Sequence, residues 1–163
     1  MNTIIKLLIL PAALFTLTAC GYVSDSMAES GNDNASEAGE AKVDWLTDYE
    51  KAVEKSREEG RPILMNFTGS DWCPPCIQMK NDVLTKDEFL EYAEENLVLL
   101  ELDFPRQTPQ DPEIERQNQQ LAQKFEIGGF PTFVVVDDEG EELRRTVGYM
   151  RGGPGQFVSW IDG

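Results

Sequence analysis

The chain of 163 residues is long enough for one domain of ordinary size with short appendages, and its formal net charge is -16. So acidic a surface repels phosphate backbones, which argues against nucleic-acid partners. The sequence contains no histidine, so no Ser-His or Cys-His catalytic pair can form and no imidazole can bind a metal. Any chemistry must therefore use cysteine, carboxylate, lysine or tyrosine side chains.

Residues 1–19 have the pattern of an export signal. One lysine precedes a mostly apolar run, shorter than the roughly 20 residues that cross a bilayer, and small residues follow it. Residues 17–20, LTAC, resemble the lipobox of bacterial lipoproteins, in which the cysteine is lipidated and begins the mature chain. An ordinary signal peptide with an incidental cysteine is the alternative. The resemblance implies an extracytoplasmic protein on the periplasmic side, anchored through Cys20, and Gly21 favours the outer membrane.

A polar segment separates this signal from the rest of the chain. Residues 21–41 are rich in Ser, Gly, Asn and Glu and contain too few apolar side chains to offset chain entropy, which predicts disorder. We therefore expect a lipidated cysteine and acidic tether over 20–41 and a folded domain over 42–163. Lipidation of Cys20 would leave Cys73 and Cys76 as a pair in an oxidising compartment.

The first half of the domain alternates helical and strand patterns. A capping box over 47–50 predicts a helix that ends at Gly60. The apolar run 63–68 has the length of a buried strand. The residues that follow Cys76 have a helical pattern to about Leu84.

The second half continues the alternation. A second capping box over 85–88 predicts a helix to about Asn96, followed by a strand over 97–103. The remaining predicted elements are a proline-rich loop over 104–112, a helix to about Phe125, a hairpin of strands over 132–137 and 141–147, and a helix over 154–161. This order predicts an α/β fold with a mixed central β-sheet and helices on both faces.

Cys73 and Cys76 lie between the predicted strand 63–68 and a helix, separated by two prolines. Unpaired N–H groups and the positive end of the dipole stabilise a thiolate at a helix N-terminus. Cys73, at this position, is predicted to attack a partner disulfide, and Cys76, predicted to be more buried, to resolve the mixed disulfide. A structural disulfide is one alternative, although so short a loop constrains the unfolded chain little. Half of a zinc site is the other, and it lacks further ligands.

These motifs resemble the thioredoxin superfamily over roughly residues 43–163. The resemblance rests on Trp72-Cys73-x-x-Cys76 after the strand and on Gly-Phe-Pro-Thr over 129–132. It implies a thioredoxin-like fold and a cis peptide bond before Pro131, which would lie against the active-site sulfurs. An ordinary trans proline is the alternative.

The resemblance also implies substrate-binding residues. The backbone of Phe130 would pair with a substrate peptide as an added strand does. Trp72, beside the predicted nucleophile, is expected to be an exposed contact surface. Gly148 matches the glycine that keeps the substrate groove of the family open.

The sequence departs from the family pattern in three places. Thioredoxin has a buried aspartate where this chain has Asn66, which cannot titrate, so proton transfer must use water or another acid. Asp71 and Glu101 are the candidate acids. The two prolines between the cysteines replace Gly-Pro, so the direction of electron transfer does not follow from the resemblance. The segment from Cys76 to Pro131 is longer than in a minimal thioredoxin, mainly through the helix over 86–95 and the loop 104–112. Both would serve as extra core and connection or in partner recognition.

The leading hypothesis is a thiol:disulfide oxidoreductase that exchanges disulfides with proteins through a mixed disulfide on Cys73. We favour a reductase or isomerase, fed by a membrane electron donor, without a bound cofactor or metal. One alternative is a non-catalytic binding module that recruits partners through Phe130. Another is a lipoprotein that buffers metal through two thiolates, which the lack of further ligands disfavours.

Overall fold

The computed structural model describes residues 43–163. The predicted signal peptide over 1–19 and the predicted tether over 20–41, with Cys20, lie outside the described residues. The helices are α1 (Tyr49–Glu59), α2 (Pro74–Met79), which continues as a π-helical turn (Lys80–Leu84), α3 (Asp87–Asn96), α4 (Pro112–Lys124) and α5 (Gly153–Asp162). The strands are β1 (Ile63–Thr68), β2 (Val98–Asp103), β3 (Thr132–Val136) and β4 (Glu142–Val147). Among the described residues, no helix has the length and apolar character needed to cross a membrane.

The four strands form one mixed sheet in the order β2-β1-β3-β4. Strands β1 and β2 are parallel, whereas β3 is antiparallel to both β1 and β4. The predictions of a mixed sheet and of a hairpin formed by its last two strands are confirmed.

Helices cover both faces of the sheet, as predicted. Alternate residues of a strand point to opposite faces, so Leu64 of β1 belongs to one core cluster and Met65 to another. The first cluster contains Met79, Phe89 and Phe157 from the side of α2, α3 and α5, and the second contains Ala52, Leu121 and Phe125 from the side of α1 and α4. The aromatic side chains of Phe67, Phe125 and Phe133 are buried in this core, and that of Trp45 is half-buried. Strand β1 is buried along its whole length because both layers cover it.

Both predicted capping boxes are wrong in detail. The N-cap of α1 is Asp48, whose carboxylate accepts the N–H of Lys51 at 3.2 Å, and Thr47 lies outside the helix. The N-cap of α3 is Lys86, which makes no side-chain cap. The Thr85 hydroxyl instead donates to the carbonyl of Lys80 at 3.0 Å, at the end of the π-helical turn. In each case the N-cap lies one residue beyond the threonine that the box pattern selected.

Candidate active site

Cys73 and Cys76 form a disulfide at the start of α2, with their Cα atoms 5.3 Å apart. Cys73 is the N-cap in an extended conformation, and Cys76 lies in the first turn, where its N–H donates to the carbonyl of Cys73 at 3.0 Å. Pro74 and Pro75 fit between them because the first N–H groups of a helix have no intrahelical acceptor. The expected position of the motif between β1 and a helix is confirmed.

The two cysteines do not differ in burial. Cys73 is 3% exposed and Cys76 is 4% exposed, so the prediction that Cys76 is the more buried is wrong for the disulfide form. A disulfide joins the two sulfur atoms, which places them in one environment. The remaining difference is one of position, because only Cys73 lies outside the helix at its N-terminal end.

The segment before β3 contacts Trp72, the residue before Cys73. The peptide bond between Phe130 and Pro131 is cis, as the resemblance implied. The ring of Phe130 meets that of Trp72 edge-on, with centroids 5.8 Å apart. Among residues 43–163, neither the N–H nor the C=O of Phe130 has a hydrogen-bond partner. The carbonyl of Pro131 accepts the N–H of Gly148 at 2.8 Å, and the φ of +86° at Gly148 favours glycine.

Trp72 is half-buried, so the expectation of an exposed contact surface is wrong. Its indole N–H donates to the carbonyl of Phe104 at 2.7 Å. The guanidinium of Arg106 lies 3.5 Å from the centroid of its ring. Gly69 approaches the indole so closely that a Cβ atom there would lie 2.5 Å from it. Arg106, which covers this ring, is itself exposed.

Asp71 holds the loop between β2 and α4 against the start of α2. Its carboxylate accepts the backbone N–H groups of Arg106, Gln107 and Thr108 at 3.0, 2.7 and 3.1 Å. The hydrogen bond from Arg106 has the largest effect and lowers the pKa of Asp71. Burial, the next largest effect, opposes it, and the hydrogen bonds from Gln107 and Thr108 lower the pKa further, so that the pKa lies below its ordinary value. A carboxylate with a lowered pKa is a weak proton acceptor, which removes Asp71 as a candidate acid for proton transfer.

Asp71→Asn should loosen this loop. The amide has one acceptor oxygen and no charge, so it cannot satisfy all three N–H groups. Because trypsin cuts transiently opened segments, we expect roughly tenfold faster cleavage after Arg106, measured by timed digestion and mass spectrometry. Asp138→Asn is the matched control, because the Asp138 side chain is exposed and makes no hydrogen bond with another described residue. Equal cleavage rates in both variants would contradict the role of Asp71.

Asn66 and Glu101 lie side by side on the sheet face that α2 covers. They are register partners on β1 and β2, and the neighbouring pair Leu64 and Leu99 belongs to the core cluster beneath α2. Asn66 is 4% exposed, and its amide oxygen has no hydrogen-bond partner among the described residues. Burial raises the pKa of Glu101, and of the charges nearby Lys80 opposes this shift and Asp103 adds to it.

Neither the contact of Arg106 with Trp72 nor the hydrogen bonds that Asp71 accepts from residues 106–108 could be predicted from the sequence. Arg106 contacts the active-site segment from 34 positions beyond Trp72, and no local pattern marks such a contact. The one signal was the unusual length of the loop. The π-helical turn after α2 was not predicted either, because its five residues are too few for the spacing of apolar side chains to distinguish it from an ordinary helix.

Comparison with known proteins agrees with this geometry. The family model of a thioredoxin-like domain matches residues 49–162. The disulfide bond reductase DsbH of Chlamydia pneumoniae is 36% identical over 148 residues, which are 91% of this chain and 87% of that protein. A solved structure of a DsbH oxidoreductase superposes with a TM-score of 0.70 at 32% identity, covering 86% of this chain and 92% of that one.

A more distant relative is the thiol:disulfide interchange protein DsbD of Pasteurella multocida. It is 23% identical over 150 residues, which are 90% of this chain and 24% of DsbD, so the chain spans about a quarter of that protein. The matches to the family model, to DsbH and to the solved DsbH structure all include the segment that carries the cysteine pair and Pro131. The chain therefore belongs to the thioredoxin superfamily and has its thioredoxin-like α/β fold.

Proposed function

We propose that the domain is an extracytoplasmic thiol:disulfide oxidoreductase that exchanges disulfides with protein substrates through Cys73. The observation that carries this proposal is the Cys73–Cys76 disulfide at the start of α2. The contact between Trp72 and Phe130 brings the two segments to one surface. The unpaired backbone groups of Phe130 support pairing with an extended substrate peptide.

The chemistry requires two exchanges. The Cys73 thiolate attacks one sulfur of a substrate disulfide, and the other substrate sulfur leaves with the electron pair. The Cys76 thiolate then attacks the sulfur of Cys73, which closes the Cys73–Cys76 disulfide and releases the second substrate sulfur. The substrate gains two electrons and two protons, and the cysteine pair loses them. Because the pair itself carries the electrons, the reaction needs no bound cofactor.

Reduction of substrates is the direction we propose. The name of DsbH from Chlamydia pneumoniae describes it as a disulfide bond reductase, and its similarity spans most of both chains. The oxidised pair must then be reduced again, and we propose a membrane electron donor as the partner. Isomerisation begins with the same attack by Cys73, so a scrambled substrate protein offers a second assay of the site.

Reduction of insulin by dithiothreitol, with the full chain purified in detergent, tests the proposal. The wild type should accelerate precipitation of the insulin B chain, and Cys73→Ser should return the rate to that of dithiothreitol alone because the nucleophile is lost. Cys20→Ser is the matched control, since it removes a cysteine outside the proposed site and should keep the wild-type rate. A wild-type rate no faster than dithiothreitol alone would contradict the proposal and favour the non-catalytic binding module.

We also propose that lipid on Cys20 anchors the chain to a membrane. The support is the LTAC sequence over 17–20, which follows an apolar run. Cys20→Ser should release the protein from the membrane fraction or block its processing, as measured by cell fractionation and gel mobility. Cys73→Ser is the control and should remain in the membrane fraction. Unchanged fractionation and mobility of Cys20→Ser would disprove the anchor.

A further inference from the structure

This inference rests on the proposed function and concerns the proton that Cys76 must lose. Before Cys76 can attack the mixed disulfide, its thiol must become a thiolate. In the disulfide form Cys76 is 4% exposed. A proton acceptor within the domain, close to α2, would give this thiol a short route for its proton.

Asn66 marks one end of a path for this proton. It lies on the sheet face that α2 covers, two residues beyond Leu64 on β1. Leu64 belongs to the same core cluster as Met79, which lies one turn after Cys76 on α2. Its amide oxygen is buried and has no donor among the described residues. Such an oxygen can accept a hydrogen bond from a thiol or a water, but it cannot take up the proton.

Glu101 lies at the other end of the path. It is the register partner of Asn66 on β2, so both side chains project from the same face of the sheet. It lines a cavity of about 360 Å³ that also contains Lys80 and is otherwise bordered by uncharged side chains. The charged groups near Glu101 are thus Lys80 from the π-helical turn and Asp103 from its own strand.

We propose that Glu101 accepts the proton of Cys76 through a water bound to the Asn66 amide oxygen and passes it to solvent through this cavity. In the forward step the thiol proton moves to the Glu101 carboxylate, and the electron pair of the Cys76 sulfur forms the bond to Cys73. The substrate sulfur leaves as a thiolate, so charge and electrons balance. Glu101 is the proton acceptor of this step, and Asn66 is the positioning residue because its amide oxygen orients the water.

Glu101 is the acid whose surroundings fit this role. Burial raises its pKa, which brings its proton affinity closer to that of a thiol. Asp71 cannot replace it, because three backbone N–H groups already hold its carboxylate. A lysine ammonium donates hydrogen bonds and accepts none, so Lys80 does not supply the acceptor.

The test separates the two exchanges with a chromogenic aryl disulfide. Reduced full-length protein should release one coloured thiolate when Cys73 attacks and a second when Cys76 resolves the mixed disulfide. Glu101→Gln keeps the shape of the side chain and removes its carboxylate. We expect it to leave the first phase unchanged and to slow the second at least about tenfold near pH 7. Above about pH 9 hydroxide can deprotonate the thiol, so the second-phase rates should converge.

Two further variants complete the design. Glu101→Asp retains a carboxylate and should recover part of the second-phase rate near neutral pH. Glu139→Gln, in the exposed turn between β3 and β4, should match the wild type in both phases. Identical second-phase pH profiles for Glu101→Gln and the wild type, after a normal first phase, would overturn this inference alone. A wild type that releases no thiolate in either phase would overturn the proposed function as well.

A stability measurement distinguishes the proton-transfer role from a structural one. Because the folded pKa of Glu101 lies above its unfolded value, the wild type loses stability as pH rises through that interval. Glu101→Gln lacks this titration, so its stability relative to the wild type should increase over the same interval. A change in stability without any change in the second-phase pH profile would assign Glu101 a structural role and overturn the inference.

Discussion

Cys76→Ser should leave the protein covalently joined to its substrates. Cys73 would still attack, but no thiol would remain to resolve the mixed disulfide. Non-reducing gels of cell extracts should therefore contain adducts that dithiothreitol dissolves, and mass spectrometry should identify Cys73 as the joined residue. Cys73→Ser is the matched control, because it keeps one thiol inside the first turn of α2 and should form few adducts.

The same assignment predicts which thiol reacts first with iodoacetamide. The two residues are equally buried as a disulfide, so the expected difference comes from the position of Cys73 at the N-terminal end of α2. A free thiol titrates near about 8.5, and unpaired helix N–H groups lower that value. Alkylation of the reduced protein near neutral pH should fall mainly on Cys73, as mapped by mass spectrometry. Faster modification of Cys76 would reverse the assigned roles.

Much of the fold could be predicted because its signals are local. The buried strand β1 is a run of apolar residues, the hairpin of β3 and β4 surrounds a turn that contains glycine, and the helices show apolar periodicity. The cysteine motif follows β1 directly, so its position at a helix start was also evident. Helix boundaries were less certain, because Thr47 and Asp48 compete for the same cap and only the backbone conformation decides between them.

The surroundings of the site could not be predicted in the same way. Trp72 is half-buried because Phe104 and Arg106, more than 30 positions away, contact its ring. The sequence left Asp71 as a candidate proton acceptor, but in the structure three backbone N–H groups of the same loop donate to its carboxylate. Glu101 became relevant only when strand pairing placed it beside Asn66. Each of these facts depends on a contact between distant segments, which composition and spacing do not record.

Asn66→Asp should make the free energy of unfolding decrease as the pH rises. Asn66 is 4% exposed and lies beside Glu101, so a carboxylate at this position would be desolvated and close to a second carboxyl group. Both effects raise its pKa in the folded protein above the value in the unfolded chain. Stability is then unaffected below the unfolded pKa and is lost as pH rises towards the folded one. We expect a loss of about 3 kcal/mol near pH 7, measured by urea unfolding of the oxidised protein.

The same substitution should change the chemistry of the reduced protein. A carboxylate at position 66 disfavours a nearby thiolate, so the apparent pKa of Cys76 should rise, as followed by the pH dependence of its alkylation. Asn81→Asp is the matched control, because Asn81 is exposed on the π-helical turn and its replacement should leave both the slope of stability with pH and the Cys76 titration unchanged. Suppose that Asn66→Asp and Asn81→Asp showed the same dependence of the free energy of unfolding on pH and the same Cys76 titration. The side chain of residue 66 would then not lie buried beneath α2. The proton path through Asn66 would then lose its first step, whatever the behaviour of Glu101.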